Sequence, residues 1–362
     1  MFLERVVINN FRNIKQATFC FSSDLNLISG DNAAGKSSIL EALGYLISGR
    51  SFRTSKRGLL INHDSDSFVL FAELSSQDRI GIGFDRKLKR KAIKINQQTT
   101  KNLSLLASIL PVQTISPESY HLVDSGPLER RKYLDWLLFH VEQSYQSHWS
   151  RFNRLLKQRN SLLRRIKLGT SRSELDLWNQ EFVEQSLKIT QFRQDLLIKL
   201  LPKLNALLKK VDFNPNQSLS LDYIPGHKLD LMQQLVGSSE RDISLGSTQY
   251  GPHRSDLLIK VGLDLAKDVL SRGQKKLLIN CLYLAQTELL KDISGKDSVF
   301  IIDDFTSELD QFNQSILIKT LKEQKNVQIF VSCLHPDMIN FLIKEYNNAK
   351  MFHVKHGVVR EK

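Results

Sequence analysis

A chain of 362 residues with 41% hydrophobic and 25% charged residues has ordinary globular composition, and it is long enough for two or three lobes with cores of their own. Neither the opening MFLERVVINNF nor any window of about 18 residues is free enough of charge to read as a secretion signal or a membrane span, so a cytoplasmic protein without membrane contact is expected. Fifty-one Lys+Arg against 38 Asp+Glu give a net charge of +13, which suits a polyanionic partner such as nucleic acid without identifying one.

The first hundred residues read mostly as strands: ERVVIN, QATFCF and NLISG, then SFVLFAEL, RIGIGFD and KAIKIN. Between NLISG and SFVLFAEL lies ISGDNAAGKSSILEAL, which fits G-x-x-x-x-G-K-[ST] in the context strand, loop, helix. Gly30, Asp31, Asn32, Ala33, Ala34 and Gly35 form the loop, and Lys36, Ser37 and Ser38 open the helix. Exposed amide groups and the positive helix end make an anion cradle there. Lys36 reaches β- and γ-phosphates, and the Ser37 hydroxyl suits Mg²⁺, so a nucleoside triphosphate with Mg²⁺ is the expected ligand.

The segment DRKLKRKAIK lies between strands, and Lys87, Lys89, Arg90 and Lys91 make it a candidate phosphate-contacting hairpin. Prolines and Gly126-Pro127 then punctuate LPVQTISPESYHLVDSGP, and a long helical region follows. From 127 to 209, apolar residues recur at three- and four-residue spacing. Phe152, Leu155, Leu162 and Ile166 mark one run and Phe182, Ile189 and Leu196 the next, with LGTSRSELD between them. An antiparallel helical hairpin is expected. Residues 120 to 210 carry 17 Lys+Arg against 9 Asp+Glu, and Arg151, Arg154, Lys157, Arg159, Arg164, Arg165 and Lys167 read as outer-face charges. Cys20, Cys281 and Cys333 sit in apolar runs, which points to buried thiols and against zinc.

Beyond residue 244 mixed strand and helix patterns return. LSRGQKK offers a second anion cradle: Ser271 donates a hydroxyl, Gly273 admits a close backbone approach, and Gln274 stands at a helix start. SVFIIDD is a buried-strand run ending in two carboxylates, with Asp303 suited to Mg²⁺ and Asp304 to orienting or deprotonating the attacking water. SELD at 307–310 follows. Walker A, LSxGQ, a strand ending in Asp-Asp and S-x-L-D, in that order, are the motif set of ABC-type ATPases. The catalytic candidates are Lys36, Asp303, Asp304 and Ser271, and Gly30 to Ser38 with Ser271, Gly273 and Gln274 would bind ATP. A transporter ATPase subunit or another chromosome-maintenance ATPase is the alternative.

LERVVINNFRNI, GRSFRTSK, ISPESYHLVDSGPLERRKYLDW, YGPHRSDL and DDFTSELD together closely resemble the RecF family of bacterial recombination-repair ATPases, over essentially the whole length. That resemblance implies an α/β fold, an ABC-type ATPase head with a mixed P-loop sheet and an antiparallel β lobe, at 1–118 and 244–362. It also implies a helical lever-arm insertion at 119–243, an ATP-dependent homodimer, DNA binding, and cooperation with RecR and RecO at single-strand gaps. Several positions depart from the family pattern. Ala33 replaces a glycine, so the turn either avoids positive φ there or accepts strain. Ser255 stands where an Asp is usual. Gln113 is either a Q-loop residue or a surface glutamine. Cys333 occupies the switch-histidine position, and His335 stays unassigned.

Overall fold

The computed structural model describes residues 1–172, 175–213, 218–305, 311–324, 326–334, 346 and 348–361. SELD at 307–310, with Glu308, and His335 lie outside the described residues.

In chain order, β1 (Leu3–Phe11), β2 (Ile14–Cys20) and β3 (Leu25–Ser29) lead into α1 (Lys36–Ser48). Next come β4 (Ser67–Leu74), β5 (Arg79–Asp85), β6 (Arg90–Ile95), β7 (Gln98–Thr100), α2 (Leu103–Ile109) and β8 (Val112–Ile115). The helical stretch is α3 (His121–Asp124), α4 (Pro127–Val141), α5 (Tyr145–Lys167) and α6 (Leu175–Lys210). It is followed by β9 (Leu219–Ile224), α7 (Leu231–Gly237), α8 (Ser239–Leu245), β10 (Asp256–Val261), β11 (Asp264–Leu265) and α9 (Ala266–Val269). The chain closes with α10 (Arg272–Ser294), β12 (Ser298–Ile302), α11 (Gln311–Glu323), β13 (Val327–Cys333), β14 (Ala349–Lys355) and β15 (Val358–Glu361).

The chain divides into two compact units, one of residues 1–119, 207–213 and 272–362, the other of 120–206 and 214–271. The first contains two sheets among the described residues. One is antiparallel, in the order β2-β1-β4-β5-β6-β7. The other has the order β15-β14-β3-β13-β12-β8 and is parallel except for β15. Every residue of β3, β12 and β13 is buried, as expected for central strands of a parallel sheet covered on both faces. In β4 the pattern alternates, as in a sheet with one face on the core. Helix α1 touches β1, β4 and β5 of one sheet and β8 and β13 of the other, so it is buried all round rather than on one stripe.

In the second unit, α5 and α6 run antiparallel. Tyr145 faces Phe192, His148 meets Gln185, Phe152 meets Phe182 and Arg159 meets Asn179, one index rising as the other falls. The helical region is broken once more than its periodicity suggests. At Glu142 the backbone is extended, and the Glu142 carboxylate accepts the Ser144 amide at 3.2 Å and hydroxyl at 2.7 Å, which ends α4 and starts α5. The chain rejoins the first unit at Arg272, later than the change of pattern at 244, because β9, β10 and β11 form a separate sheet inside the second unit.

Arg159 does not lie on an outer face. It sits on the stripe of Phe152, Leu155 and Leu162, fully buried, with Nη1 donating to Asp242 at 2.7 Å and to Thr248 at 2.7 Å. A buried guanidinium needs such partners, and removing one leaves an uncompensated charge. The segment around Ser255 is another buried network. Arg193 forks onto Asp135, donates to Ser255 Oγ at 2.8 Å and to the Pro252 carbonyl at 2.8 Å, while Arg130 pairs with Asp256 at 2.7 Å. Asp135 and Asp256 therefore supply the negative charge, and Ser255 serves as a neutral acceptor. Burial pushes the neighbouring His253 imidazole down to about 4, and its Nε2 contacts the Thr248 carbonyl at 3.0 Å, so it is neutral at physiological pH and part of the packing. Cys281 and Cys333 are buried, whereas Cys20 is exposed on edge strand β2.

Candidate nucleotide site

The loop from Gly30 to Gly35 joins β3 to α1 and is held from two sides. From the β1–β2 turn, Asn13 Nδ2 donates to the carbonyls of Ala33 at 3.4 Å and Ala34 at 3.3 Å. From the β14–β15 turn, the Gly357 amide donates to the Ala34 carbonyl at 2.9 Å. Gly30 has φ 153°, and a Cβ there would lie 2.2 Å from the Val354 carbonyl oxygen, so only glycine fits. Lys36 Nζ donates to the carbonyls of Gly30 at 2.7 Å and Asp31 at 2.9 Å, which arches the loop around its ammonium.

Ala33 has φ 61°, so the loop accepts the left-handed conformation rather than avoiding it. That region costs an L-residue roughly 1–2 kcal/mol, of which glycine's larger unfolded-state entropy would give back roughly 0.5–1. Ala33→Gly is therefore expected to stabilise the protein by up to about 1 kcal/mol, a Tm rise of roughly 2–4 °C in thermal melting. A lower Tm would show that the Ala33 methyl contributes more than its backbone costs.

The two carboxylates predicted from SVFIIDD stand at the end of β12. Asp303 is buried, and its Oδ1 accepts from Ser37 Oγ at 2.9 Å and from Ser332 Oγ at 2.7 Å. Burial raises its pKa, while the two hydroxyls and the Arg53 charge pull the other way. Asp304 follows with φ 60°, and its amide donates to Ser332 Oγ at 2.8 Å.

A cleft of about 880 Å³ unites Asn32, Ala33, Gly35, Lys36, Ser37 and Ser38 with Asp303 and Asp304. Arg12, Asn13, Arg53, His63, Glu118 and Ser332 line it too, and the sequence reading assigned none of them a role. Arg12 forks onto Glu41 at 2.9 and 2.8 Å, and Arg53 lies 3.8 Å from the same carboxylate. Glu41 is a wholly buried anion inside SSILEALGYLI. A lone carboxylate in an apolar helix demands cationic partners, and that is the signal which would have pointed to both arginines.

Gly273 and Gln274, in the first turn of α10, are half-buried and are not among the residues lining this cleft. Ser271, the residue before α10, is exposed. Gln113 fits neither sequence reading: it is buried in β8, and its Nε2 donates to Gln286 Oε1 at 2.7 Å. The basic hairpin is split. Lys87 is exposed and pairs with Asp66 at 2.6 Å, and Lys89 and Arg90 are exposed at the β5–β6 turn. Lys91 instead donates to the Gly49 carbonyl at 2.7 Å, beyond the end of α1, and lies 5.0 Å from the Tyr45 ring centre. Burial, with Arg57 and Arg50 nearby, lowers its pKa to about 8. Lys91 thus braces the loop helix from its far end and is not a free phosphate contact.

Ser37 and Asp303 offer hard oxygens on one spot, which fits Mg²⁺, and Lys36 with the amides opening α1 fits a triphosphate. Among the described residues no helix is long and apolar enough to cross a membrane.

Known proteins resemble this chain along its whole length. The family model described as the RecF/RecN/SMC N-terminal domain matches residues 2–360. A DNA replication and repair protein RecF from Shewanella denitrificans is 40% identical, over 99% of this chain and 99% of that protein. One from Pseudoalteromonas atlantica is 37% identical over 100% and 99%. Among solved structures, the recombination mediator protein RecF with ATP, of the RecFOR pathway, superposes with a TM-score of 0.87 at 28% identity, covering 100% of this chain and 97% of that one. An SMC head bound to the C-terminal winged-helix domain of ScpA, at 15% identity and a TM-score of 0.59, shares the fold. With the fold of an ABC-type ATPase head and full-length identity at this level, the chain belongs to the RecF family.

Proposed function

We propose that this protein is an ATP-gated DNA clamp of recombinational repair and replication, which hydrolyses ATP slowly, with stimulation by DNA, to time its own release. The observation that carries the reading is the Ser37–Asp303 contact of 2.9 Å beside Lys36, a phosphate cradle and a carboxylate pair in one cleft. The first unit is the ATPase head and the second the lever arm. Gly30 to Ser38 hold the phosphates, and Lys36 compensates their charge. Ser37 and Asp303 would hold Mg²⁺, which would supply positive charge to offset that of the phosphates. Asp304 orients the attacking water and draws its proton; it is one methylene shorter than the Glu common in ABC ATPases, and slow turnover follows. Ser271, Gly273 and Gln274 belong to the site on a second copy, which makes the dimer ATP-dependent. RecR and RecO are the expected partners at single-strand gaps, in the cytoplasm, by analogy with the relative named for the RecFOR pathway.

The test is anisotropy binding to duplex, single-stranded and gapped DNA, each with no nucleotide, ADP and ATP. ATP is expected to tighten binding to at least one DNA form by roughly 5- to 150-fold, the usual range of coupling between two ligands. Affinity should fall with salt at a log–log slope of roughly −0.9 per phosphate contact, and replacing Lys87, Lys89 and Arg90 together by Ala should flatten it. Binding that ignores nucleotide on all three DNAs would end the clamp reading. An unchanged slope would clear the hairpin of any DNA contact.

A further inference from the structure

Ser332 is 1% exposed, yet it makes three polar contacts with the residues that close β12. Strands β12 and β13 are parallel, with Ile302 opposite Val331, so the next residues on each strand are Asp303 and Ser332. Ser332 Oγ donates to Asp303 Oδ1 at 2.7 Å and accepts from the Asp304 amide at 2.8 Å. The Ser332 carbonyl accepts from the Phe305 amide at 3.1 Å. On its other side β13 pairs with β3, Ser332 opposite Ile28, one residue before the strand runs into the phosphate loop.

Asp304 needs this support. Its φ of 60° lies in the left-handed region, which a non-glycine residue keeps only when its surroundings over-determine it. The Ser332 hydroxyl fixes the amide on one side of that Cα, and on the other side Lys276 Nζ, from α10, lies 3.5 Å from the Asp304 carbonyl. A serine hydroxyl has one proton and two lone pairs. By spending the proton on the Asp303 carboxylate and a lone pair on the Asp304 amide, one oxygen ties the direction of the first acid to the backbone that aims the second.

We propose that Ser332 is a positioning residue that sets the two acids of the site, Asp303 and Asp304, relative to each other. The inference rests on the ATPase reading and deepens it. Ser332 takes no part in the chemistry; it holds the Asp303 oxygen shared with Ser37 and locks the left-handed turn that presents the Asp304 carboxylate to the cleft.

The test compares wild type with Ser332→Ala, Ser332→Thr and Asp304→Asn in three measurements: steady-state ATP hydrolysis, equilibrium binding of a fluorescent ATP analogue with and without Mg²⁺, and thermal melting. Ser332→Ala is expected to lower kcat roughly 30- to 100-fold, with KM within about threefold, the pattern of a contact that matters in the transition state. Mg²⁺-free binding should stay within about twofold of wild type, while the gain in affinity on adding Mg²⁺ shrinks, because Asp303 loses one of the two hydroxyls that orient it. Asp304→Asn should lower kcat and leave that Mg²⁺-dependent gain intact. Ser332→Thr, which keeps the hydroxyl, should recover most of both losses.

A kcat for Ser332→Ala within twofold of wild type, or a loss that appears equally in Mg²⁺-free binding and is not relieved by Thr, overturns the proposal. If the Ala variant fails to fold, Ser332→Cys decides the same comparison, since it keeps the side-chain volume and donates only weakly. A wild-type protein that hydrolyses no ATP overturns the ATPase reading instead, and the Mg²⁺-dependent gain in ATP affinity then decides Ser332 by itself.

Discussion

Lys36→Ala is expected to lose ATP binding by a factor of roughly 10²–10⁴ and to hydrolyse ATP at below about one per cent of the wild-type rate. Each hydrogen bond to a charged group contributes roughly 1.5–3 kcal/mol, and in the proposed role Lys36 would give two, to the β- and γ-phosphates. The rest of the cradle is built of neutral amide dipoles, so no other group in the loop itself supplies a full positive charge. The fold should survive. Of the two carbonyls that Lys36 holds, at 2.7 and 2.9 Å, the contact to Gly30 is half-buried and that to Asp31 exposed, so water can replace the ammonium at Asp31, and α1 is anchored by its buried face. Thermal melting should therefore move by only a few degrees while titration with a fluorescent ATP analogue shows no saturation. Wild-type turnover in this variant would mean that the loop does not hold the phosphates.

What the sequence makes legible here is local. Six strand segments before residue 97 announce themselves by alternation or by unbroken apolar runs, and all six are strands in the structure. The loop's glycines are readable because the backbone geometry demands them, as Gly30 against Val354 shows. What stayed hidden depends on partners distant in the chain. Arg159 reads as a solvated charge by its type although its spacing from Leu155 and Leu162 puts it on the apolar stripe; what the sequence hides is its partner Asp242, 83 residues away. Lys91 reads as part of a basic patch until the Gly49 carbonyl, 42 residues earlier, takes its ammonium. Gln113 satisfies its amide with Gln286, 173 residues on. Ser332 lies in VQIFVSC like any strand serine, and only the parallel register with β12 shows that its hydroxyl faces two acids. Composition and periodicity carry no information on pairings of this kind, because one residue of each pair looks the same whether or not the other exists.

Gly273 and Gln274 lie in the first turn of α10, whose amides and positive end would suit an anion, yet they do not line the cleft that contains Lys36 and Asp303. A cradle that holds no phosphate of its own chain can hold one bound to a second copy, and a two-fold arrangement then buries two nucleotides, each between the loop of one chain and Ser271 to Gln274 of the other. In such a dimer, loss of the γ-phosphate would remove the shared anion and free the two chains. Lys36→Ala and Ser271→Arg should each be inactive alone, since every site in either homodimer is damaged. Mixed in equal amounts with random pairing, about half the dimers are heterodimers, and each carries one intact site beside one doubly damaged site. The mixture should therefore recover up to about a quarter of wild-type ATPase if the two sites act independently. No recovery, with heterodimers shown to form by differential tagging, would mean that each chain completes its own site or that both sites must fire together. Sedimentation separates the larger question: a protein that stays monomeric with ATP at saturating concentration has no second copy to complete the site, and the phosphates held by Gly30 to Ser38 then serve a single chain.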